Sequence, residues 1–539
     1  MKKIIFLLLL NLLLFSCARV GAPNGGTRDS LAPKFLGSNI DTTRLNVSRT
    51  VKELRLDFDE YVMLKDFNKN FNVSPPIKKI KKVIPSNLAN KYVLIQWEDT
   101  LQANTTYNFN FGNAIVDNNE SNPLPYFNFA FSTGDKIDDL FVSGTVKDAM
   151  TLIKENQTAK DNKMVVGLYK AGENLDYKQK PDYITKVDEE NYFELNFLPK
   201  GEFVIIAFDD ENQNSVYDAG KEKVSFLKEK ITLDSTSVRG LKLKLYPSKK
   251  VVKYKESKAI NGGLLMTFEG NPETVEVKSL SEELKDFKVT HAKRSDSVNI
   301  WFDAEKSNLG GTVSKQVKLS YFTPTISDTI SVSYKAVKDE FKLSNEAGNL
   351  IAPENNFVIN TSLPIENLNT SSWKLESDSI AQDFTAKVSE KNPFKILVNS
   401  SFKPTKKYVL TIPKETVSSY YSSNDKSFQF QFEIDKPENY GSFTAVIKNK
   451  PTAKFWVELT NEKGEILYSQ FTNASEVSFK NLKPATYIAR IRVDNNGNGF
   501  WDEADFAQNI AAEDVYIFEK EINVRPLWEI KEDWELTNH

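Results

Sequence analysis

The chain has 539 residues, too many for a single hydrophobic core, so several domains of about 100 residues each are expected. Hydrophobic residues make up 40% and charged residues 27%, and a net charge of −3 with interspersed signs excludes the basic footprint of a nucleic-acid-binding protein. A single cysteine, Cys17, excludes an intrachain disulfide and a cysteine-based metal site. The histidines are His291 and His539, and nothing around His291 resembles a Ser-His-Asp or Cys-His catalytic apparatus.

The N-terminal residues have the pattern of an export signal. Lys2 and Lys3 precede an apolar run over 4–15 that is too short to span a bilayer as a permanent helix. The run ends in Leu14-Phe15-Ser16-Cys17, which resembles the lipobox of bacterial lipoproteins. The resemblance implies a signal peptide over 1–16 and lipidation, for example with palmitate, at Cys17. The alternative is a plain signal peptide with an incidental cysteine.

A lipid on Cys17 would make the membrane a partner of this chain. More than one acyl chain gives stable attachment, because each buried methylene adds about 0.8 kcal/mol. Residues 17–32, rich in Gly, Pro, Asn and Ser, are predicted to form a flexible tether. The resemblance implies the outer membrane, and the lack of acidic residues over 18–21 favours its periplasmic face over the cell surface.

Residues 33–136 are predicted to form a β-sandwich. Short stretches alternate apolar and polar residues, as in Tyr107, Phe109 and Phe111 with asparagines between them, and turn signals separate the stretches. The segments that carry a family resemblance are 58–62 (FDEYV), 104–107 (NTTY), 112–117 (GNAIVD) and 131–134 (FSTG). They resemble the SbsA-type bacterial Ig-like domain, and the chain as a whole resembles the Ig-domain lipoproteins of Bacteroidetes.

Residues 137–247 are predicted to form a second sandwich. The stretches 142–146 (VSGTV), 192–195 (YFEL) and 198–203 (LPKGEF) are similar to the transthyretin-like or carboxypeptidase-regulatory-like domain. That resemblance implies a spacer or binding module without catalytic residues.

The remaining chain is predicted to add one further sandwich and then to repeat these two units. Residues 250–348 are predicted to form a sandwich of uncertain type. Residues 349–435 form a second, diverged Ig-like domain, because the aromatic residues Phe127, Phe129, Phe131 and Tyr107 recur 301 residues later as Phe428, Phe430, Phe432 and Tyr408. Residues 436–526 form a second transthyretin-like sandwich, and 527–539 a short tail in which a Trp packs back on that sandwich. The fold class expected is all-β, with tandem sandwiches after a lipoprotein signal peptide.

An Asp- and Asn-rich loop occurs once in each transthyretin-like unit, at positions 284 residues apart. Its spacing resembles the D-x-N-x-N-G-x-x-D calcium loop, in which oxygen ligands surround the ion. The alternative is a long turn whose side chains bond their own backbone. The possible calcium ligands are Asp494, Asn496, Asn498, Asp502 and Asp505 in the second copy and Asp210, Asn212, Asn214 and Asp218 in the first.

The pattern favours a non-catalytic, lipid-anchored envelope protein that acts as a spacer, scaffold or adhesion and binding module. Its expected partners are the membrane, envelope proteins or glycans, with no nucleic acid and no certain cofactor. One alternative is a carbohydrate-binding lipoprotein, for which Phe500 and Trp501 are the best stacking candidates. A weaker alternative is a glycan or peptide hydrolase using the carboxylate pair Asp59 and Glu60, although adjacent strand residues point to opposite faces.

Overall fold

The structure, a computed structural model, describes residues 29–152, 163–172, 176–337, 340–346 and 348–536. The predicted signal peptide, Cys17 and most of the predicted tether lie outside the described residues, as does His539. The described chain is nearly all β, which confirms the predicted fold class. It forms five two-sheet units, named sandwich 1 to sandwich 5 in chain order. No helix in the described part is long and apolar enough to cross a membrane.

Sandwich 1 has one sheet in the order β1-β2-β5-β4, with β7 also pairing β2, and a second in the order β3-β6-β8. Leu54, Leu56 and Phe58 point from β2 into its core, as their alternation predicts. Its elements are β1 (Phe35–Ser38), β2 (Glu53–Leu64), α1 (Phe67–Asn70), β3 (Asn72–Ser74), β4 (Ile80–Ile84), β5 (Asn90–Trp97), β6 (Thr106–Gly112), β7 (Ile115–Asp117) and β8 (Phe127–Ser132).

Sandwich 2 packs a three-stranded sheet, β12-β9-β16, against a larger sheet, β11-β10-β13-β14, in which β15 also pairs β13. The first and last strands, β9 and β16, run parallel. The strands are β9 (Leu140–Asp148), β10 (Met164–Lys170), β11 (Tyr183–Lys186), β12 (Tyr192–Leu198), β13 (Gly201–Asp209), β14 (Val224–Phe226), β15 (Ile231–Leu233) and β16 (Val238–Leu245).

Sandwich 3 pairs a β17-β18-β21-β20 sheet with a β19-β22-β23 sheet around its own apolar cluster. Its strands are β17 (Lys253–Ile260), β18 (Gly263–Glu269), β19 (Glu276–Ser279), β20 (Lys288–His291), β21 (Ser297–Trp301), β22 (Lys315–Phe322) and β23 (Ser327–Tyr334).

Sandwich 4 consists of the sheets β24-β26-β31-β30 and β25-β34-β32-β28-β29 and the short pair β27-β33. It begins earlier than residue 349, the predicted boundary, because Leu343 on β24 pairs with Thr361 on β26. Its strands are β24 (Leu343–Asn345), β25 (Leu350–Ile351), β26 (Phe357–Thr361), β27 (Asn367–Leu368), β28 (Lys374–Ser377), β29 (Ile380–Ala381), β30 (Phe384–Ser389), β31 (Asn392–Ser400), β32 (Lys407–Ile412), β33 (Val417–Ser418) and β34 (Phe428–Ile434).

Sandwiches 1 and 4 share a local arrangement at the repeated aromatic residues. Tyr107 lies opposite Phe131 with ring centroids 5.9 Å apart, and Tyr408 lies opposite Phe432 at 5.6 Å. In each unit the tyrosine hydroxyl accepts a hydrogen bond from a backbone N–H five residues earlier, at 2.9 Å in both. The sequence repeat therefore corresponds to a repeated register.

Sandwich 5 has the same topology as sandwich 2, with sheets β38-β35-β42 and β37-β36-β39-β40, β41 pairing β39, and parallel first and last strands. A 3-10 helix, Pro437–Asn439, precedes it. Its strands are β35 (Gly441–Lys448), β36 (Phe455–Thr460), β37 (Ile466–Thr472), β38 (Glu476–Leu482), β39 (Ala485–Val493), β40 (Val515–Ile517), β41 (Ile522–Val524) and β42 (Glu529–Glu535).

Strand β42 lies in the segment that was predicted to be a tail. Residues 529–535 pair with β35, so sandwich 5 continues beyond residue 526. Trp534 is buried in the core beside Phe518, whereas Trp528 is about half exposed. A tryptophan does pack on the sandwich, but as part of a strand, because a parallel partner for β35 satisfies that strand's free edge.

The five sandwiches do not simply follow one another in a line. Phe506 of sandwich 5 lies in an apolar cluster with residues of sandwich 2. Asp502 forms an ion pair with Arg294 of sandwich 3 at 2.7 Å. The Nδ2 of Asn481 donates to the Pro353 carbonyl of sandwich 4 at 2.8 Å. Sandwich 5 thus folds back and contacts the three units that precede it.

Candidate functional site

The first Asn-rich loop follows β13 and closes on its own backbone. Asp210 is buried, and its two carboxylate oxygens accept hydrogen bonds from the backbone N–H groups of Asn214 (3.0 Å) and Ser215 (3.1 Å). Asn212 donates through Nδ2 to Asp218 at 2.6 Å. Four predicted ligands, Asp210, Asn212, Asn214 and Asp218, therefore belong to one hydrogen-bonded turn.

The second loop follows β39 and repeats this pattern. The carboxylate of buried Asp494 accepts from the backbone N–H groups of Asn498 and Gly499, both at 3.0 Å. Asn496 and Asn498 both donate through Nδ2 to one oxygen of Asp502, at 2.5 and 2.7 Å. Gly499 has a φ of +80°, a conformation that glycine adopts without strain.

A buried glutamate completes each loop, and sequence reasoning missed both. Glu222 accepts from the backbone N–H of Asp218 at 2.9 Å, and Glu513 accepts from that of Asp502 at 2.9 Å. The second carboxylate oxygen of each glutamate accepts a hydrogen bond from a backbone N–H near the start of its loop, that of Glu211 in the first loop and that of Asn496 in the second. The missed signal is a glutamate downstream of the final aspartate. It lies 12 residues after Asp210 but 19 after Asp494, so a gap-free superposition does not align the two.

The loop environment shifts the protonation of these carboxyls in opposite directions. Burial raises the pKa of Glu222 to about 7 and also raises the pKa of Glu513. Burial acts in the same direction on Asp502, but hydrogen bonds from Asn496 and Asn498 and the charge of Arg294 outweigh it and lower its pKa. Burial thus favours the protonated form of the two glutamates, whereas the contacts of Asp502 favour its ionised form.

These contacts leave the loop oxygens engaged without an ion. Within the described residues, no three His, Cys, Asp or Glu side chains converge as a metal site requires. Asp505 does not join the other predicted ligands. It lies in a separate turn, where it accepts from the Gln508 N–H at 3.2 Å and its backbone pairs with Ile510. Calcium binding stays a prediction, and it would require Asp502 and the asparagine amides to exchange partners.

The additional residues of the second loop form a contact between the repeated units. Ala504 makes a parallel bridge to Ser248, and Phe506 is buried against the outer face of the larger sheet of sandwich 2. The Phe506 ring lies 4.4 Å from the centroid of Tyr177 and 5.1 Å from that of Phe226. The insertion thus attaches one repeat to the other.

The corresponding outer face of sandwich 5 is charged. Glu458 on β36 is almost completely buried and accepts paired hydrogen bonds from Arg490 (2.9 and 2.7 Å) and from Arg492 (3.0 and 2.5 Å) on β39. Such paired contacts fix both guanidinium groups. The Arg492 guanidinium also lies 5.9 Å from the Trp456 ring and 5.8 Å from the Trp501 ring.

The two aromatic residues proposed for sugar stacking are engaged at contacts between sandwiches. Arg294 of sandwich 3 lies over the Phe500 ring at 4.6 Å. Trp501 donates its indole N–H to the Glu513 carbonyl at 3.1 Å and lies 6.4 Å from the Tyr246 ring of sandwich 2. Both side chains therefore contribute to holding sandwich 5 in place.

The comparison with protein families matches sandwich 1. Residues 29–133 match the family model of the bacterial Ig-like domain. The bacterial Ig-like domain thus covers the first two-sheet unit, close to the predicted 33–136. A search of curated proteins found no match.

Solved structures that align with the chain are long β-rich proteins at low identity. The S-layer protein SbsC aligns at 12% identity over 92% of this chain and 67% of its own, with a TM-score of 0.15. A Bacteroides ovatus protein, SGBP-B in complex with a mixed-linkage heptasaccharide, aligns at 10% identity over 71% and 94%, with a TM-score of 0.20. The Bacillus anthracis TIE protein aligns at 11% identity over 98% and 78%, with a TM-score of 0.13. At these scores the likeness carries no conclusion about ligands.

Proposed function

We propose that the protein is a non-catalytic, lipid-anchored component of a bacterial cell envelope, in which the sandwiches form a braced scaffold that presents binding surfaces. The observation that carries the scaffold part of this proposal is the return of sandwich 5 onto its predecessors. An apolar contact through Phe506 and an ion pair between Asp502 and Arg294 join units that are far apart in sequence. Contacts of this kind between units fix the positions of the sandwiches relative to one another, which a scaffold requires.

The acidic groups singled out in the sequence, Asp59 with Glu60 and the loop carboxylates, support a structural role over catalysis. Asp59 accepts the Lys34 backbone N–H at 2.8 Å and lies next to Glu60 on β2, where neighbouring side chains point to opposite faces. The loop carboxylates bind backbone N–H groups of their own turns. A hydrolase would need two carboxyl groups that face one substrate.

The finer assignments belong to this proposal as well. Sandwiches 2 and 5 are assigned as transthyretin-like modules, and the chain as a Bacteroidetes-type lipoprotein attached through Cys17 to the outer membrane, on its periplasmic face. Glycans are the second candidate for what the scaffold binds. Calcium in the paired loops is an additional candidate for its stabilisation.

Metabolic labelling with a palmitate analogue tests the anchor. We expect label in the wild-type protein and its membrane fraction, and none in Cys17→Ser. External protease on intact cells should leave a periplasmic protein uncut and cleave it after the outer membrane is permeabilised. Absence of label in wild type contradicts the anchor, and turnover of glycoside or peptide substrates that Glu60→Gln abolishes contradicts the non-catalytic role.

A further inference from the structure

One edge of sandwich 1 is strongly basic. Strand β4 is the last strand of its sheet, so one side of it has no partner strand within the described chain. Residues 76–92, which contain β4 and the turns on either side, include five lysines and no acidic residue. Four of these lysines (78, 79, 81 and 82) are clustered and exposed, and together with Leu88 they form what we call the basic edge. The whole chain has a net charge of −3, so this edge differs in sign from the molecule as a whole.

Neighbouring acids neutralise only part of this charge. Glu98 forms an ion pair with Lys79 at 3.5 Å. The Asp99 carboxylate is engaged by two backbone N–H groups of the same segment, at 2.6 and 3.0 Å. Within the described residues, no ion pair involves Lys81 or Lys82. The ammonium groups of these two lysines are therefore available to an anion outside the chain.

The basic edge also carries exposed apolar side chains. Ile80 on β4 is 41% exposed, and Leu88, in the turn between β4 and β5, is 83% exposed. Leu88 is the most exposed large hydrophobic side chain of the described residues. Lysines beside an exposed leucine suit a membrane surface, because the cations approach lipid phosphates while the apolar side chain enters the boundary of the acyl chains.

The corresponding edge of sandwich 4 lacks this chemistry. Strand β30 is the last strand of its sheet and pairs with β31 as β4 pairs with β5. Residues 383–391, from the start of β30 to the following turn, contain two lysines and two acids, and Lys387 pairs with Glu390 at 3.9 Å. Lysines on an edge strand prevent pairing with other strands, a need that both units share. Edge protection alone therefore does not account for the cluster on β4.

The basic edge belongs to the unit that lies nearest in sequence to the proposed lipid anchor. Asp29, the first described residue, is 12 residues after Cys17, a length that spans at most about 40 Å. Strand β4 lies three strand spacings from β1, which is about 14 Å at about 4.8 Å for each spacing. Sandwich 1 can therefore lie with β4 along the bilayer while Cys17 stays attached to it.

We propose that the basic edge of sandwich 1 docks on the bilayer that holds the lipid anchor, with its lysines against anionic phospholipid headgroups and Leu88 in the acyl boundary. This proposal rests on the lipid attachment at Cys17 proposed above and adds a second membrane contact of stated lipid chemistry. The anchor keeps the edge at high effective concentration near the surface, so a contact that is weak by itself is populated. The second contact fixes the orientation of sandwich 1 on the membrane.

Vesicle sedimentation of the mature chain with Cys17→Ser tests this contact in the absence of the lipid. The probes are phosphatidylcholine vesicles with and without about 30% phosphatidylglycerol, at about 0.05 M salt so that screening is limited. We expect binding to the anionic vesicles only. Each lysine near an anionic surface contributes about fivefold to partitioning, so Lys81→Gln combined with Lys82→Gln should weaken binding at least tenfold. Leu88→Ser should weaken it at least about threefold, because it removes the apolar insertion.

The matched control is Lys253→Gln combined with Lys255→Gln, which removes two exposed lysines from β17, an edge strand of sandwich 3. The control should bind as the parent chain does, and all variants should keep the parent Tm because these side chains are exposed. Absence of binding to anionic vesicles, an equal loss in the control, or equally tight binding of a soluble acidic polysaccharide overturns the proposal. Palmitate labelling of wild type reports the anchor independently, so failure of the docking is distinguishable from failure of the anchor.

Discussion

Sandwiches 2 and 5 share one topology and one closed loop, yet the outer faces of their larger sheets differ in chemistry. In sandwich 2 the face carries Ile206 and Phe208 on β13. In sandwich 5 the same register positions of β39 carry Arg490 and Arg492. An exposed apolar face needs cover, whereas the arginines are satisfied by Glu458 within their own sheet.

The difference between these outer faces explains how sandwich 5 can pack on sandwich 2. Gly167 of sandwich 2 lies at the register position that Glu458 occupies in sandwich 5, so only one copy has the acid that can hold two guanidinium groups. The other copy has an apolar surface, and the lengthened loop of sandwich 5 brings Phe506 onto it. One copy therefore presents a surface, and the other supplies the side chain that covers it.

The largest effect is expected from Glu458→Gln. Gln keeps one acceptor oxygen, but it lacks the charge and turns an NH2 donor toward one of the two guanidinium groups. The change should therefore lower the free energy of unfolding of sandwich 5 by about 3–5 kcal/mol. Hydrogen exchange of the β36 and β39 amides measures the free energy of opening of sandwich 5 itself. A local measurement is needed because a protein of five units does not unfold in a single two-state transition. Glu476→Gln is the control, because its ion pair with Lys531 is exposed and should contribute less than about 1 kcal/mol. Equal effects of the two substitutions would contradict a stabilising role for the buried contact of Glu458 with Arg490 and Arg492.

Phe506→Ala should separate the two copies. Truncation of a buried Phe costs about 3–5 kcal/mol, and we expect the lower end because a contact between units can relax. Limited proteolysis should cut within 503–512, and the radius of gyration from X-ray scattering should increase. Phe471→Ala is the matched control, since Phe471 is 44% exposed on the outer face of sandwich 5. Unchanged proteolysis in Phe506→Ala would contradict the role of Phe506 and show that the ion pair between Asp502 and Arg294 is enough to hold sandwich 5 in place.

The two loops also differ in how far their contacts could be read from the sequence. The aspartates and asparagines superimpose without a gap, so their occurrence in one turn of each copy was predictable. Glu222 and Glu513 were not, because the longer second loop moves Glu513 out of register. The docking of Phe506 on Tyr177 was beyond sequence reasoning, because no periodicity links positions that far apart. The sequence predicts that a tryptophan of the C-terminal segment packs back, but the β42 ladder around Trp534 depends on the free edge of β35.

A pH titration should show how Glu222 of the first loop contributes to the stability of the protein. An ordinary glutamate ionises near 4.5, whereas folded Glu222 holds its proton to about 7. The stability that this group contributes is therefore complete below pH 4.5 and is lost as the pH rises to about 7. The change is at most about 3 kcal/mol, at 1.36 kcal/mol per pKa unit. The difference in unfolding free energy between wild type and Glu222→Gln should fall across this window, and a constant difference would contradict the raised pKa.

Calcium provides the smallest expected effect and the most direct test of what the loops do. Extracellular calcium modules bind with dissociation constants of about 0.1–1 mM, so 1 mM calcium would stabilise the second loop by about 0.4–1.4 kcal/mol. For a unit of this size that corresponds to a Tm increase of roughly 2–8 °C.

If the second loop binds calcium, chelator removes the Tm increase in wild type and has no effect in Asp494→Asn. Asn retains one oxygen for the backbone N–H groups that Asp494 binds, but it lacks the charge that a cation needs. Melting curves that do not respond to calcium in either protein would mean that the hydrogen bonds of Asp494, Asp502 and Glu513 close the loop without an ion.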